Sequence, residues 1–373
     1  MILETIPKDV EDATLAGHTE FADESKLHRI STRNEHVFGL DALRFFAALW
    51  VVFSHLGPVP VFAEVDRSHP IGFVLHGAWG VLHSGPAAVI VFFVISGFCI
   101  HYPYTGGAAF RCIPYLIRRY VRIGIPMAAA MILTELADID SLKFFDAILW
   151  SLVAELMYYT SYPLIRLLKD RLGMDAIVAG AFVLSLAVVL TDPAAKGYGV
   201  YGWRLNWLLG LPCWLLGVSL AETWQRRTVA ALSGETKDSV WKWRTLVWAS
   251  SSMCLALNFH SPIGYPWTLN LFAIIAYAWI VREIRRANGS KRPWRALEWA
   301  GGWSYSLYLC HMFATRLYSR LGASLEAGPI LDWFLRIAFV LGTSYAFYLL
   351  VELPAHSLAR RLARVRGLNP LRA

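Results

Sequence analysis

Apolar residues occur along this chain in long runs, and most polar residues lie in shorter stretches between them. Several runs approach 20 residues, which is the length that an α-helix needs to cross the hydrocarbon core of a bilayer. The predicted spans are 37–57, 86–104, 120–136, 147–168, 174–191, 200–221, 245–260, 265–281, 299–318 and 332–353. We therefore expect an all-α integral membrane protein, built as a bundle of about ten transmembrane helices.

The composition fits a membrane domain with short tails. Apolar residues make up 56% of the 373 residues and charged residues only 17%, whereas a soluble domain has about 25% charged residues. No hydrophilic block is long enough for a second soluble domain. We predict a flexible N-terminal tail at 1–36, a transmembrane domain at 37–356 and a basic C-terminal tail at 357–373.

The basic residues are distributed unevenly across the predicted membrane. With ten spans, 27 of the 35 Lys and Arg residues fall on the side of both termini, five fall on the opposite side and three lie within spans. An excess of Lys and Arg marks the cytoplasmic side of a membrane protein. Both termini are therefore predicted to be cytoplasmic and the protein to reside in the inner (cytoplasmic) membrane. This bias also explains the net charge of +8 without nucleic acid.

The five cysteines show no CxxC pair and no other metal-ligand spacing. Four of them lie in or at the edge of apolar spans, where cysteine behaves as a small hydrophobic residue. We expect no disulfide, no metal site and no permanently bound cofactor.

The first span carries an arginine and a histidine where a membrane helix is normally apolar. Arg44 and His55 are eleven residues apart, which brings their side chains to within about 20° of one helical face. Because an arginine in lipid is costly, this face is expected to contact protein or a wet cavity. Asp41 precedes Arg44 by three positions and can pair with it. For His55 alone, a satisfied histidine at the membrane interface is an equal alternative.

Other polar side chains within the spans are candidates for the same cavity. Glu155 lies near the middle of the fourth span, so it must be protonated, hydrated or paired with a cation such as Arg44. His311 and Arg204 lie toward the outer ends of their spans and are candidate substrate contacts. Ser96 and the following glycine mark a place where a helix or a ligand can approach closely. Helix packing is favoured there over a nucleophilic serine.

Three arginines lie close together at the start of the third span, Arg118, Arg119 and Arg122. Arg119 and Arg122 are spaced i, i+3 and can face the same way. Guanidinium groups clustered in this manner suit phosphate, whose oxygens they bind in pairs. By charge alone, an anchor for lipid headgroups is the favoured explanation.

Six segments, taken in order, resemble motifs of the acyltransferase 3 family of multi-pass membrane acyltransferases. They are LDALRFFAALWVVFSH, FFVISGFCI, RRYVRI, WSLVAELMYYTSYP, SYSLYLCH and VELP, within 39–354. The resemblance implies a bundle of about ten helices that transfers acetyl or another acyl group from cytoplasmic acyl-CoA to a saccharide hydroxyl. We expect no hydrolase-like domain after the last span. The chain is therefore expected to complete the transfer itself or to pass the acyl group to a separate periplasmic partner.

The resemblance also implies roles for individual residues. It makes His55 and Arg44 the essential catalytic pair. The other site residues that it implies are Arg119, Arg122, Glu155 and Tyr305.

In the expected mechanism, the three arginines hold the phosphates of acyl-CoA, and His55 is the general base for an acceptor hydroxyl. Arg44 orients the thioester or pairs with a nearby carboxylate. Tyr305 or Arg204 donates a hydrogen bond to the oxyanion of the tetrahedral intermediate. A covalent acyl-histidine relay across the membrane is an open alternative.

The acceptor is expected to be an extracytoplasmic or lipid-linked saccharide, such as an exopolysaccharide or lipopolysaccharide, because His55 is predicted toward the outer side. The main alternative function is a multi-pass transporter or flippase, which would also place Arg, Glu and His near the midplane. No repeat relating the two halves of the chain supports that alternative. A sensor or scaffold that has lost activity is a second alternative, and homo-oligomerisation is left open.

Overall fold

The computed structural model describes residues 36–57, 59–62, 65–137, 141–228, 240–289, 292–321 and 328–367. Every regular element in these ranges is helical. The first six helices are α1 (Leu40–Leu56), α2 (Pro70–Gly80), α3 (Gly85–Thr105), α4 (Cys112–Leu136), α5 (Ser141–Leu172) and α6 (Met174–Val189). The others are α7 (Gly202–Thr228), α8 (Val240–His260), α9 (Tyr265–Asn288), α10 (Arg295–Gly301), α11 (Ser304–Arg320), α12 (Pro329–Phe347) and α13 (Leu353–Gly367). A 3₁₀ turn at Tyr198–Tyr201 precedes α7, and a π-helical turn at Tyr348–Glu352 joins α12 to α13.

The all-α prediction is confirmed for the described residues, since each of the ten predicted spans overlaps a helix. Among the described residues, four helical stretches are long and apolar enough to cross a membrane, and they indicate a membrane protein. These stretches are Pro70–Thr105, Tyr198–Trp224, Tyr265–Asn288 and Pro329–Arg364. The count of ten crossings and the cytoplasmic termini stay predictions. The tail predicted at 1–36 lies almost wholly outside the described residues, and α13 continues into the tail predicted at 357–373.

One helix, α2, lies between the first two predicted spans and has no counterpart among them. Pro70 occupies its first turn, and the His69 side chain accepts a hydrogen bond from the Ile71 amide at its N-terminus. Proline is well tolerated there, because the first amides of a helix have no partner within it. A local N-terminal cap therefore stabilises this short helix, in a segment where the hydropathy pattern predicts no span.

The crossing of α3 and α7 brings two helix backbones into direct contact. A Cβ atom added to Gly97 would overlap the Trp214 carbonyl, and one added to Gly217 would overlap the Val94 carbonyl. Small residues allow helices in a membrane to approach closely and gain van der Waals contact. This is the close approach expected at Ser96 and its following glycine.

The π-helical turn before α13 follows from the position of a proline. Pro354 has no N–H to donate, and its ring conflicts with the carbonyl four residues earlier, so the helix widens there. Glu352 at the end of this turn is fully buried. Its carboxylate accepts hydrogen bonds from the Ser306 amide (3.1 Å) and hydroxyl (2.5 Å). The turn thereby fixes the beginning of α11, which carries several of the polar residues described below.

Replacing either crossing glycine by alanine should destabilise the protein. In Gly97→Ala or Gly217→Ala the new methyl group forces the helices apart, at a cost of roughly 1–3 kcal/mol. The measurement is the apparent melting temperature in detergent, which should fall in both variants.

Gly180→Ala in α6 and Gly342→Ala in α12 are matched controls, because a Cβ atom at either position meets no atom within 4 Å. These two variants should be neutral or slightly stabilised, since alanine favours a helix more than glycine does. Equal melting temperatures for all four variants would contradict the backbone contact.

Candidate active site

A cavity of about 120 Å³ lies inside the helix bundle, beside α3. Its wall is formed by residues of α1, α3, α4, α5 and α11. Six residues singled out from the sequence line it together, although they are far apart along the chain. They are Arg44, Ser96, Arg119, Arg122, Glu155 and Tyr305.

One end of this cavity is basic, because Arg44 from α1 lies close enough to Arg119 and Arg122 from α4 for electrostatic interaction. Arg44 forms the predicted ion pair with Asp41, with Nη1 3.3 Å from Oδ1. Within the described part of the chain, no ion pair joins Arg119 or Arg122 to a carboxylate. The buried Glu352 carboxylate acts electrostatically on Arg44 and Arg122 from further away. Arg119 and Arg122 thus have no direct carboxylate contact from the described residues at this end, where their guanidinium groups attract an anionic ligand.

Of the residues that the structure describes, Arg119 contacts two aromatic rings and no carboxylate group. Its guanidinium carbon lies 5.8 Å from the centre of the Tyr115 ring and 5.7 Å from that of Tyr159, within the range of cation–π contacts. Its buried Nε has no hydrogen-bond partner among the described residues. Arg118 is exposed and does not line the cavity, since adjacent helical residues point about 100° apart. The structure thus separates Arg118 from the other two arginines.

A carboxylate lies in the middle of the cavity wall. Glu155 accepts hydrogen bonds from the hydroxyl groups of Ser96 (3.0 Å) and Tyr159, so hydroxyl groups rather than Arg44 satisfy it. Tyr159 and Ser151 also line the cavity, although neither was predicted as a site residue. Ser151, Glu155 and Tyr159 are each four residues apart on α5. This spacing puts the three side chains on one helical face, so the position of Glu155 could have indicated Ser151 and Tyr159 from the sequence.

The two tyrosines of α11 that line the cavity already use their hydroxyl protons. Tyr305 donates to the Ile123 carbonyl at 3.2 Å. The Tyr308 hydroxyl lies 2.5 Å from Ser151 Oγ, and because Ser151 itself donates to the Ile148 carbonyl (2.9 Å), Tyr308 is the donor in that pair. In this structure neither tyrosine has a free proton for an oxyanion, the role expected of Tyr305.

Two histidines lie in direct contact beyond the Tyr308 end of the cavity. His311 Nε2 lies 3.2 Å from His55 Nδ1, and the ring centres are 4.9 Å apart. His311 is only 1% exposed, whereas His55 is exposed. His311 Nδ1 lies 2.6 Å from the Tyr308 carbonyl oxygen, which connects the pair to the cavity wall.

Arg44 and His55 occupy opposite ends of this site. Eleven residues of helix separate them by roughly 16 Å at 1.5 Å per residue. Arg44 is grouped with Arg119 and Arg122, while His55 contacts His311. The two residues expected to act as a pair therefore do not touch each other, although one site includes both.

Arg204 lies away from both the cavity arginines and the histidine pair. It is exposed near the start of α7, and its guanidinium carbon lies 5.2 Å from the centre of the Trp203 ring. It lines neither of the two cavities described in this structure. The geometry gives no support to Arg204 as a substrate contact.

Among the described residues, His36, Asp41 and Glu298 have the spacing of a metal site, with one ligand atom from each lying within 4.8 Å of the others. Glu298 already accepts hydrogen bonds from the backbone amides of Gly39 (2.9 Å) and Ala42 (3.4 Å). It thereby satisfies amides at the start of α1 that have no partner within the helix. Asp41 pairs with the arginine one turn further along. Capping therefore occupies one oxygen of Glu298, and the ion pair with Arg44 occupies one oxygen of Asp41.

A second cavity, of about 340 Å³, lies near the first turns of α3 and α9. Trp150, Tyr198 and Tyr265 contribute aromatic rings to its wall, and Lys196 contributes an ammonium group. The ammonium group donates to two backbone carbonyls, which fix its position. Because Trp150 is adjacent to Ser151, this cavity lies close to the first one.

The chain matches a family model described as an acyltransferase domain over residues 37–349. The matched region includes every residue that lines the first cavity and both histidines. No curated protein and no solved structure matches the chain. Since the match covers most of the sequence and all of the site, the chain belongs to the acyltransferase 3 family.

Proposed function

We propose that this protein is a membrane O-acyltransferase that moves an acyl group, with acetyl as the first candidate, from acyl-CoA to a hydroxyl of a saccharide. One observation carries the proposal. A single cavity has at one end two arginines, Arg119 and Arg122, with no ion pair to a carboxylate in the described residues, and it adjoins a pair of histidines at the other end. Membership of the family accounts for acyl transfer in general. The proposal adds acyl-CoA as the donor, a saccharide hydroxyl as the acceptor and a histidine as the base.

The basic end of the cavity suits the phosphates of the donor. Arg119 and Arg122 can each bind phosphate oxygens through two N–H groups. The cavity wall on α3 extends from Ile100 to Val89, which is roughly 16 Å of helix. An extended pantetheine chain can cover this length. The thioester would then lie near Tyr308, next to the histidine pair.

His55 has the geometry of a general base. Its Nδ1 lies 3.0 Å from the Val51 carbonyl, which can only accept a hydrogen bond, so Nδ1 carries the hydrogen and Nε2 is unprotonated in the neutral ring. In the proposed reaction Nε2 takes the proton of the acceptor hydroxyl as its oxygen attacks the thioester carbonyl carbon. The tetrahedral intermediate then breaks its carbon–sulfur bond. The departing thiolate takes the proton from Nε2, which leaves an O-acyl ester and free CoA.

The acceptor is proposed to approach from the end of the bundle opposite the arginines. His55 is exposed there, and the second cavity lies at the same end, near the start of α3. Binding sites commonly combine aromatic walls with a few fixed polar groups. The three rings and the Lys196 ammonium group of this cavity suit a sugar ring with hydroxyl or acidic substituents. This arrangement agrees with an acceptor on the outer side of the membrane.

Removing the base should abolish transfer without preventing donor binding. In cells that lack the native gene and express His55→Ala at the wild-type level, we expect O-acylation of surface glycans to fall by roughly 10²- to 10⁴-fold. Mass spectrometry of the glycans measures this loss, and calorimetry with the purified variant should give an unchanged affinity for acetyl-CoA.

The control for this experiment is His260→Asn, because His260 is exposed at the end of α8 and outside both cavities. This variant should retain normal O-acylation. Wild-type O-acylation by His55→Ala at equal expression would exclude His55 as the base. Saccharide transport by proteoliposomes without any ester formation would support the transporter alternative.

The two cavity arginines should matter for donor affinity, and their exposed neighbour should not. Arg119→Gln and Arg122→Gln each remove charged hydrogen bonds to phosphate, so we expect each to weaken CoA binding by roughly ten- to a hundredfold. Arg118→Gln removes the same charge from the same helix outside the cavity and should have little effect. Calorimetry in detergent at fixed salt measures the three affinities. An equal loss in all three variants would indicate general attraction of anions and contradict a specific phosphate site.

A further inference from the structure

We propose that His311 is a positioning residue that accepts a hydrogen bond from His55 Nδ1 and so presents His55 Nε2 to the acceptor hydroxyl. This inference rests on the proposed role of His55 as general base. Its starting point is the distance of 3.2 Å between His311 Nε2 and His55 Nδ1. Two nitrogens at this distance need one hydrogen between them, and the surrounding acceptors decide which ring carries it.

The hydrogen of His311 lies on its other nitrogen. His311 Nδ1 is 2.6 Å from the Tyr308 carbonyl oxygen, which accepts hydrogen bonds and cannot donate them, so Nδ1 is the donor. His311 is 1% exposed and has no carboxylate within ion-pair distance in the described part of the chain. A charged ring would be costly in such surroundings. In the neutral ring, Nε2 keeps its lone pair and faces His55 as an acceptor.

His55 Nδ1 lies among several acceptors. The Val51 carbonyl oxygen is 3.0 Å away and His311 Nε2 is 3.2 Å away. Ser54 Oγ, at 3.3 Å, gives its own proton to the same Val51 carbonyl and can also accept. A hydrogen on Nδ1 satisfies these neighbours as a shared bond, whereas a lone pair on Nδ1 would be repelled by all of them. His311 and Val51 thus select the same tautomer, which leaves Nε2 free as the base.

The hydrogen bond between His55 and His311 becomes stronger during the reaction. When His55 Nε2 takes the acceptor proton, the ring becomes an imidazolium and its Nδ1–H becomes a stronger donor. His311 Nε2 then stabilises that charge through a charge-assisted hydrogen bond, without giving or taking a proton itself. The role matches that of the aspartate in a Ser-His-Asp triad, which fixes the histidine tautomer and stabilises the imidazolium. Here a neutral imidazole performs it.

Glutamine and asparagine at position 311 distinguish this role from simple packing. The amide of His311→Gln reaches the position of Nε2, and its oxygen can accept from His55. The amide of His311→Asn reaches only the position of Nδ1 and leaves His55 without this acceptor. We expect kcat to stay within about tenfold of wild type for the glutamine variant and to fall roughly a hundredfold or more for the asparagine variant. The KM for acetyl-CoA should be unchanged in both.

Equal kcat values for the two variants, or a change confined to KM, would overturn the proposal. Melting temperature and acetyl-CoA affinity check that both variants are folded, and His260→Asn should keep the wild-type kcat. If His55→Ala itself retains full transfer, the proposed base fails and this inference fails with it. If His55→Ala is inactive and His311→Asn is fully active, only the present inference fails.

A spectroscopic measurement tests the same geometry without altering His311. In ¹⁵N-histidine-labelled wild-type protein, the resonances of His55 are identified by their absence from the His55→Gln spectrum. We expect the shifts of a neutral ring with its hydrogen on Nδ1. A hydrogen on Nε2 of His55 would overturn the proposal, whatever the kinetic results.

Discussion

The backbone contact between α3 and α7 is the constraint on which the site depends. Gly97 and Gly217 let the two helices meet without side chains between them, which fixes the rotation of α3. Because successive helical residues point about 100° apart, this rotation turns Ser96 toward the cavity. At the start of the same helix, Gly85 leaves room for Ser54, the residue before the proposed base. One helix thus packs against α7 on one face and forms part of the cavity on another.

The polar groups inside this apolar bundle differ in whether they have hydrogen-bond or ion-pair partners. Glu155 accepts hydrogen bonds from hydroxyl groups, Glu352 accepts them from Ser306 through one of its oxygens, and His311 is hydrogen-bonded to a backbone carbonyl. In the described residues, neither Arg119 nor Arg122 forms an ion pair with a carboxylate, and Glu352 acts on Arg122 only from further away. A buried charge without a partner is costly, and an anionic ligand that supplies the partner regains that cost on binding. This difference between hydrogen-bonded acids and arginines without a direct acidic partner is the physical reason to expect a phosphate-bearing donor.

Hydropathy predicted the helices, and polar residues within apolar spans indicated Arg44, Ser96 and Glu155, because both signals depend on local sequence. The i, i+3 spacing of Arg119 and Arg122 was informative for the same reason. The family resemblance implied the site roles of Arg119, Arg122 and Tyr305. Charge and depth alone did not determine the rotation of a helix, so Arg118 and Arg204 were included although they lie outside the cavity. The contact between His55 and His311 joins residues 256 positions apart. It depends on how α1 and α11 pack, which no local pattern encodes.

Two native cysteines allow the most direct test of a donor site in this cavity. Both are exposed, but Cys99 lines the cavity, whereas Cys112 lies at the start of α4 and outside it. The measurement is the rate at which N-ethylmaleimide modifies each cysteine, followed by mass spectrometry, with and without a thioether analogue of acetyl-CoA. At about ten times its Kd, the analogue should slow modification of Cys99 about tenfold and leave Cys112 unchanged. An unchanged rate at Cys99, or equal slowing at both cysteines, would contradict the account.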